Sequence, residues 1–393
     1  MDQLLSPSLV SVSTFIERTS DGQLFLQDYL RLSPRSKLKS LRLPVRADSS
    51  HCRCGAAHTR AHWDFSEAEI HQLSLGISTQ ECLEYFEVYI PIDNVALRRV
   101  MLSPQLRVAT MVVHQIVSDS SNIHITPADI PFRNVEELEL YLRDLHSVSR
   151  LLRWEDQMFK TCRLYLTALD NAETFFAFFT ALVSPQRTDS LQSIRLTCKN
   201  PYNPYTPEPD NASYDNSVHH LAYRTLSPLA SFKHLRELEL VLRNPILLDD
   251  RELGELSRNW PLLEELALTC IEEYYGTSVT LGGLLLLLKH CSRLFDLRIA
   301  IDAREVPETT AIAIEEYDSL EETVQGIEVY NSLEGIELSH SPIRDAHLVA
   351  DFFATHFPRV EEIDVFFSDS SLLSDHPTEL YRELWDVVNA NLF

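Results

Sequence analysis

The sequence predicts an α/β solenoid, in which a curved parallel sheet carries helices on its convex side and a helix caps its C-terminal end. The first observation is an apolar spacing of the form L-x-x-L-x-L at Leu263, Leu266 and Leu268. The same spacing returns after an apolar helical run, at Leu294, Leu297 and Ile299. The third observation is a shortage of glycine, since a doubly wound nucleotide-binding fold needs a glycine-rich turn and no G-x-G-x-x-G is present. Strand, helix and strand in this order predict a leucine-rich-repeat solenoid.

Further matches to the same spacing run along the chain in order. The weaker ones begin at Leu38, Leu83, Leu106, Val135, Phe159 and Leu191. The clearest ones begin roughly 30 residues apart, at Leu235, Leu263, Leu294, Leu333 and Val360. We therefore expect a strand at each of these positions.

Helices are predicted between the C-terminal strands because capping residues precede apolar runs with helical spacing. Capped helices follow Asp250, Thr280 and Asp345, and prolines at Pro261 and Pro358 end two of them. The last helix, TELYRELWDVVNANL, is predicted to cap the stack with one apolar side. That side is expected to consist of Leu380, Leu384 and Val387.

One such unit cannot fold alone. Burying three leucines stabilises a unit by roughly 5 to 9 kcal/mol. Ordering roughly 28 residues at about 1 to 2 kcal/mol each costs several times more. Neighbouring units must therefore pair their strands into one parallel sheet. The predicted organisation is a weakly patterned N-terminal segment, 1–35, and an irregular solenoid, 36–393, with loop insertions at 48–63 and 199–217.

Composition and charge narrow the classes of partner. The 393 residues include 58 Asp and Glu against 34 Lys and Arg, which gives a formal charge of -24. Such a chain is expected to bind neither nucleic acid nor membranes, and a basic protein surface is the favoured partner. The longest apolar run, Leu284 to Leu288, is far below the roughly 18 to 20 residues that cross a bilayer. Without a basic leader or a signal-like apolar core, the chain is expected in the cytoplasm or nucleus.

Local signatures of common enzymes are absent from the sequence. It contains no H-E-x-x-H, no G-x-S-x-G and no G-x-x-x-x-G-K-S/T. We therefore expect a non-enzymatic chain with no cofactor and no catalytic residues. The alternative from another class is a hydrolase or transferase that uses a pocket in the concave face.

A His- and Cys-rich cluster lies in the first insertion. It consists of His51, Cys52, Cys54, His58 and His62. Two thiols with nearby imidazoles are ligands that Zn²⁺ prefers, although C-x-C is not the usual spacing and no second half-site is evident. Loop residues without metal are the expectation, and a zinc site is the alternative.

Parts of the C-terminal half resemble a known family. Asp302 and Ala303 follow one strand, and Ser341, Pro342 and Ile343 follow another. With the leucine spacing, these phrases are similar to the leucine-rich-repeat half of the F-box proteins of mushroom-forming fungi, over roughly residues 130–393. The resemblance implies a substrate receptor of a cullin-RING ubiquitin ligase, whose F-box binds the ligase adaptor. No F-box is recognisable in residues 1–40. A free-standing scaffold or decoy without ligase association is the alternative within this class.

The strand pattern also predicts a binding face. If the fourth and sixth positions of each repeat point inward, the third, fifth and seventh point outward on the concave side. In the five C-terminal repeats, these positions hold seven carboxylates and one basic residue, Arg298. The carboxylates are Glu237, Glu239, Glu265, Asp296, Glu337, Glu362 and Asp364. Carboxylates in rows on neighbouring strands repel one another, and this repulsion favours a cationic protein client.

Overall fold

The structure is a computed structural model and has the α/β class that the sequence predicts. It describes residues 11–13, 38–43, 67–113, 131–142, 144–146, 148, 157–166, 170–198, 220–271, 277–307, 332–365 and 378–392. The insertions at 48–63 and 199–217 lie outside these residues, as does the segment 1–35 apart from 11–13.

Strands follow one another along the whole described chain. They are β1 Ser11–Ser13, β2 Ser40–Leu43, β3 Tyr85–Ile92, β4 Val108–Val113, β5 Glu137–Leu142, β6 Thr161–Leu166, β7 Ser193–Thr197, β8 Leu221–Ala222, β9 Glu237–Leu242, β10 Ile246–Leu247, β11 Glu265–Cys270, β12 Asp296–Ile299, β13 Gly335–Glu337 and β14 Ile363–Asp364. Twelve of them form one parallel sheet in sequence order, and β8 pairs with β10 in a separate two-stranded sheet.

Helices connect many of the strands. They are α1 Glu67–Ser78, α2 Asn94–Met101, α3 Ala172–Leu182, α4 Pro185–Ser190, α5 Tyr223–Leu226, α6 Asp250–Ser257, α7 Leu281–His290, α8 Ala346–His356 and α9 Thr378–Ala390, and a 3-10 helix spans Ser227–Ser231. Thr280 and Asp345 are N-caps as predicted, since their side chains accept hydrogen bonds from the first turns of α7 and α8. The N-cap of α6 is Asp249 rather than Asp250, because the Asp249 carboxylate accepts the Glu252 N–H.

The fourth positions of the predicted spacing stand in register across neighbouring strands. One such row consists of Leu41, Phe86, Ala109, Leu138 and Cys162. A second row consists of Leu238, Leu266, Leu297, Ile336 and Ile363. All ten side chains are buried, which confirms the inward orientation predicted for them. Because side chains alternate along a strand, this register also aligns the opposite set of side chains.

The chain divides into two compact units. The first comprises the described residues of Met1–Asp170, Ser184–Leu191 and Leu196–Tyr214. The second comprises those of Asn171–Val183, Gln192–Arg195 and Asp215–Phe393. The predicted carboxylate face belongs to the second unit.

The C-terminal helix α9 packs on a different side from the one predicted. Leu380 and Val387 are exposed, whereas Trp385 and Val388 are buried. The Trp385 indole N–H donates to the Ser341 carbonyl at 2.9 Å, and its ring lies 6.4 Å from that of Phe353. The prediction was wrong by one residue because two apolar stripes with helical spacing coexist on α9. Trp385 takes the buried position because it is larger and because its indole N–H finds an acceptor in the Ser341 carbonyl.

Candidate protein-binding face

The candidate face lies in the second unit. It consists of the outward positions on β9, β11, β12, β13 and β14, together with Ser193 and Arg195 of β7 and Glu362 directly before β14. The register places Glu237, Glu265 and Asp296 in one row. A second row runs from Glu239 through Arg298 and Glu337 to Asp364. Because paired strands lie about 4.8 Å apart, carboxylates in one row are within electrostatic range of each other.

Arg195 in β7 lies among three of the predicted carboxylates. Its guanidinium contacts Glu237 directly and approaches Glu239 at 3.4 Å and Glu265 at 3.6 Å. The Ser193 hydroxyl also donates to Glu237 at 2.5 Å. The expected repulsion between these carboxylates is therefore partly compensated within the chain.

Sequence reasoning missed Arg195, although its position contains a usable signal. It is the fifth position of the spacing that begins at Leu191, and therefore points to the same side as Glu239. The predicted binding face comprises the outward positions of the five C-terminal repeats alone, and Arg195 belongs to the repeat before them. One more repeat would have included this guanidinium.

The remaining carboxylates differ in how far neighbouring groups compensate their negative charge. Asp296 lies 3.3 Å from the Arg298 guanidinium on the same strand, and Glu337 accepts the Ser339 hydroxyl at 2.5 Å. Glu362 and Asp364 are exposed, and no ion pair joins either of them to another described residue. The uncompensated negative charge therefore concentrates towards β14.

A cavity of about 30 Å³ lies at the carboxyl ends of β11 and β12 and beside the residues after β13. Its apolar lining includes Leu268, Val279 and Ile299, and its polar lining includes Cys270 and His340. His340 is one of the few described non-glycine residues with a positive φ, at 56°, and its side chain is buried. Burial lowers the pKa of His340, so the ring is neutral at pH 7.

The first unit presents a different surface at its outward positions. Tyr141 stacks on Tyr165 with ring centroids 4.5 Å apart, and Tyr89 meets Tyr141 edge-on at 5.6 Å. At the start of β3, the Arg42 guanidinium lies over the Tyr85 ring at 4.1 Å. Aromatic side chains of this kind are enriched at protein interfaces.

Comparison of the chain with models of known families and with curated proteins finds no match.

The structure separates the predicted site residues into those it brings together and those it does not describe. Six of the seven predicted carboxylates lie at outward positions of strands in the second unit, and the seventh, Glu362, directly precedes β14. Phe366, the last outward position, lies outside the described residues. The cluster from His51 to His62 also lies outside them, and its zinc alternative stays a prediction. Within the described part of the chain, no group of three His, Cys, Asp or Glu side chains could hold a metal ion. No helix there is long and apolar enough to cross a membrane.

Proposed function

We propose that this chain is a non-enzymatic protein-binding module, a leucine-rich-repeat solenoid whose concave face binds a client with a basic surface. The observation that supports the proposal is the register of the outward positions, which gathers six carboxylates and two guanidinium groups on one sheet face, with the seventh carboxylate, Glu362, directly before β14. Such an excess of negative charge attracts a cationic partner and repels an anionic one.

The strength of the attraction depends on how much charge is left uncompensated. An exposed ion pair contributes only about 0 to 1 kcal/mol, so several are needed for a stable complex. Glu362 and Asp364 are exposed and available, while Arg195 already neutralises part of the charge at Glu237. Because exposed charges are screened beyond about 8 Å at physiological ionic strength, client binding should weaken as salt rises.

The resemblance to fungal F-box proteins supports a narrower proposal. In it, the client is a substrate that the chain recognises for a cullin-RING ubiquitin ligase, in the cytoplasm or the nucleus. Asp302 and Ala303, which carry part of the resemblance, follow β12, and Ala303 forms an isolated bridge with Ile343 of the second phrase. A free-standing scaffold or decoy without ligase association is the alternative.

A pair of matched charge variants tests the proposal. The face variant combines Glu362→Lys with Asp364→Lys, and the control combines Asp351→Lys with Asp386→Lys at exposed helical positions. Both variants change the net charge equally. Each purified chain is used as bait, and captured proteins are quantified at low and high salt.

We expect basic proteins to be captured by the wild type and the control, and to be lost from the face variant and at high salt. Equal capture by all three baits would contradict a binding role for this face. Cullin and adaptor among the captured proteins would support the ligase proposal, and basic clients without them would support the scaffold. Turnover of a small molecule would favour the enzyme alternative.

A further inference from the structure

The cavity beside the carboxylate face has three polar side chains in its lining, Cys270, Thr277 and Ser339, that donate to protein acceptors. The Cys270 thiol donates to the Arg243 carbonyl at 3.3 Å, and the Thr277 hydroxyl donates to the Ala300 carbonyl at 2.9 Å. The Ser339 hydroxyl donates to Glu337. Because these three side chains already donate hydrogen bonds within the protein, an occupant of the cavity would contact mainly the hydrocarbon surface of residues such as Leu268 and Val279.

The size of the cavity selects the kind of occupant. Since a single water needs at least about 10 to 15 Å³ measured in this way, about 30 Å³ holds roughly two waters. That space accommodates the end of one small side chain. It is too small for a nucleotide or a redox cofactor, whose pockets span several hundred Å³.

The cavity and the carboxylates lie along the same strands. Glu265 and Thr269 both lie on β11, at the third and seventh positions of the spacing that begins at Leu263, and Thr269 lines the cavity. Asp296 and Ala300 have the same relationship in and directly after β12. Four residues of extended chain cover about 13 Å, so one extended segment can reach both features.

We propose that the cavity holds a small apolar side chain, of about valine size, from a client segment whose lysine or arginine, four residues away, contacts the carboxylates. This inference rests on the proposed function and specifies the client's sequence chemistry. The neutral His340 ring adds no charge that would disfavour an apolar occupant. The carboxylates of the face would bind the lysine or arginine of the client segment. The cavity would fix the position of the segment along the strands.

Synthetic peptides of the form Lys-Lys-Ser-Gly-Ser-X, with X as Gly, Ala, Val, Leu or Trp, test the proposal by fluorescence polarisation with the full chain. Each buried methylene is worth about fourfold in affinity, and the valine side chain has three carbons that glycine lacks. Full burial of the side chain should therefore make the valine peptide bind up to about sixtyfold tighter than the glycine peptide. The tryptophan peptide should lose this advantage because its side chain exceeds the cavity.

Two variants of the cavity sharpen the test. Ala300→Leu fills the cavity and should abolish the preference for valine over glycine, whereas the control Ala354→Leu, at an exposed position of α8, should keep it. Val279→Ala enlarges the cavity and should shift the preference towards leucine.

The outcomes separate the two proposals. Salt-sensitive binding of all peptides without a preference at X would overturn the cavity inference and leave the acidic binding face standing. A preference that survives Ala300→Leu would also overturn the inference. Binding of no peptide at any salt concentration would count against both proposals.

Discussion

Asp250, the first residue of α6, accepts two hydrogen bonds from Thr280, the N-cap of α7. The backbone N–H and the hydroxyl of Thr280 each lie 2.7 Å from a carboxylate oxygen of Asp250. The Thr280 hydroxyl in turn accepts the Gly282 N–H at 3.0 Å. A residue 30 positions away thus fixes the start of the next helix. The Asp250 carboxylate also lies so close to the backbone of α7 that position 283 must be glycine, since a Cβ there would lie 2.1 Å from a carboxylate oxygen.

Gly283→Ala should destabilise the protein even though alanine is the better helix former. The helical preference would contribute at most about 1 kcal/mol in favour of alanine. Overpacking costs about 1 to 3 kcal/mol, and displacement of Asp250 also weakens its bonds to Thr280. Urea unfolding measures the net change. The matched control is Gly254→Ala in α6, whose Cβ would meet Leu286 at an ordinary 3.9 Å, so it should be neutral or stabilising. The same sign for both variants would contradict this account.

Asn389 of α9 binds the edge strand β14 much as another strand would. Its side-chain oxygen accepts the Ile363 N–H at 2.9 Å, and its amide donates to the Ile363 carbonyl at 3.0 Å. Asn389→Ala should cost about 1 to 3 kcal/mol, because it leaves two backbone groups without their partner. Hydrogen exchange of the Ile363 amide should accelerate along with the loss of stability. Asn391→Ala, which removes an exposed bond to Val387, is the control and should change stability by less than about 0.5 kcal/mol.

Asp170 should make the stability of the protein depend on pH. The pKa of Asp170 is raised to about 6, mainly by burial and to a smaller extent by the nearby Asp144, while the Leu145 N–H and His146 oppose the rise. The folded protein therefore binds a proton at this site more readily than the unfolded chain. The contribution of Asp170 to the free energy of unfolding is therefore largest below the ordinary pKa of Asp, and it is lost as pH rises through about 6.

Asp170→Asn removes this dependence while keeping an acceptor for the Leu145 N–H, which donates to Asp170 at 3.0 Å. The melting temperature of the variant should rise relative to the wild type between pH 5 and pH 8. Other titrating groups cancel in the difference between the two proteins. A constant difference across this range would show that the carboxyl group ionises normally.

Arg195→Gln should destabilise the protein more at low salt than at high salt. Without the guanidinium, Glu237, Glu239 and Glu265 repel one another, and salt screens repulsion between partly exposed charges. The unfolding midpoint in denaturing urea at several salt concentrations measures the effect. Arg236→Gln is the control, since it removes one exposed pair with Glu264 and should have a smaller salt dependence. Equal dependence in both variants would mean that Arg195 does not hold the three carboxylates together.

Much of the candidate face could be predicted from the sequence because strand geometry is local. The alternation that buries Leu238 and Leu240 necessarily turns Glu239 the other way. Its neutralisation could not be predicted, since Arg195 reaches Glu239 from a strand more than forty residues earlier in the chain. The cavity was likewise beyond prediction, because Ile246, Val279 and His340 meet only when three separate segments pack together.

The sequence by itself determined the strands that carry the leucine spacing, the inward rows of leucine and isoleucine, and the starts of α7 and α8, but not β1, β8 or β10. These features depend on side-chain periodicity and on capping residues within a few positions of one another. Only the tertiary structure decided that Trp385 rather than Leu384 faces the core, that Asn389 covers the edge of β14, and that Asp250 holds Thr280. Each of these choices is a competition between distant groups for a buried position or a backbone partner. Its outcome depends on which group finds both space and a hydrogen-bond partner after the chain has packed.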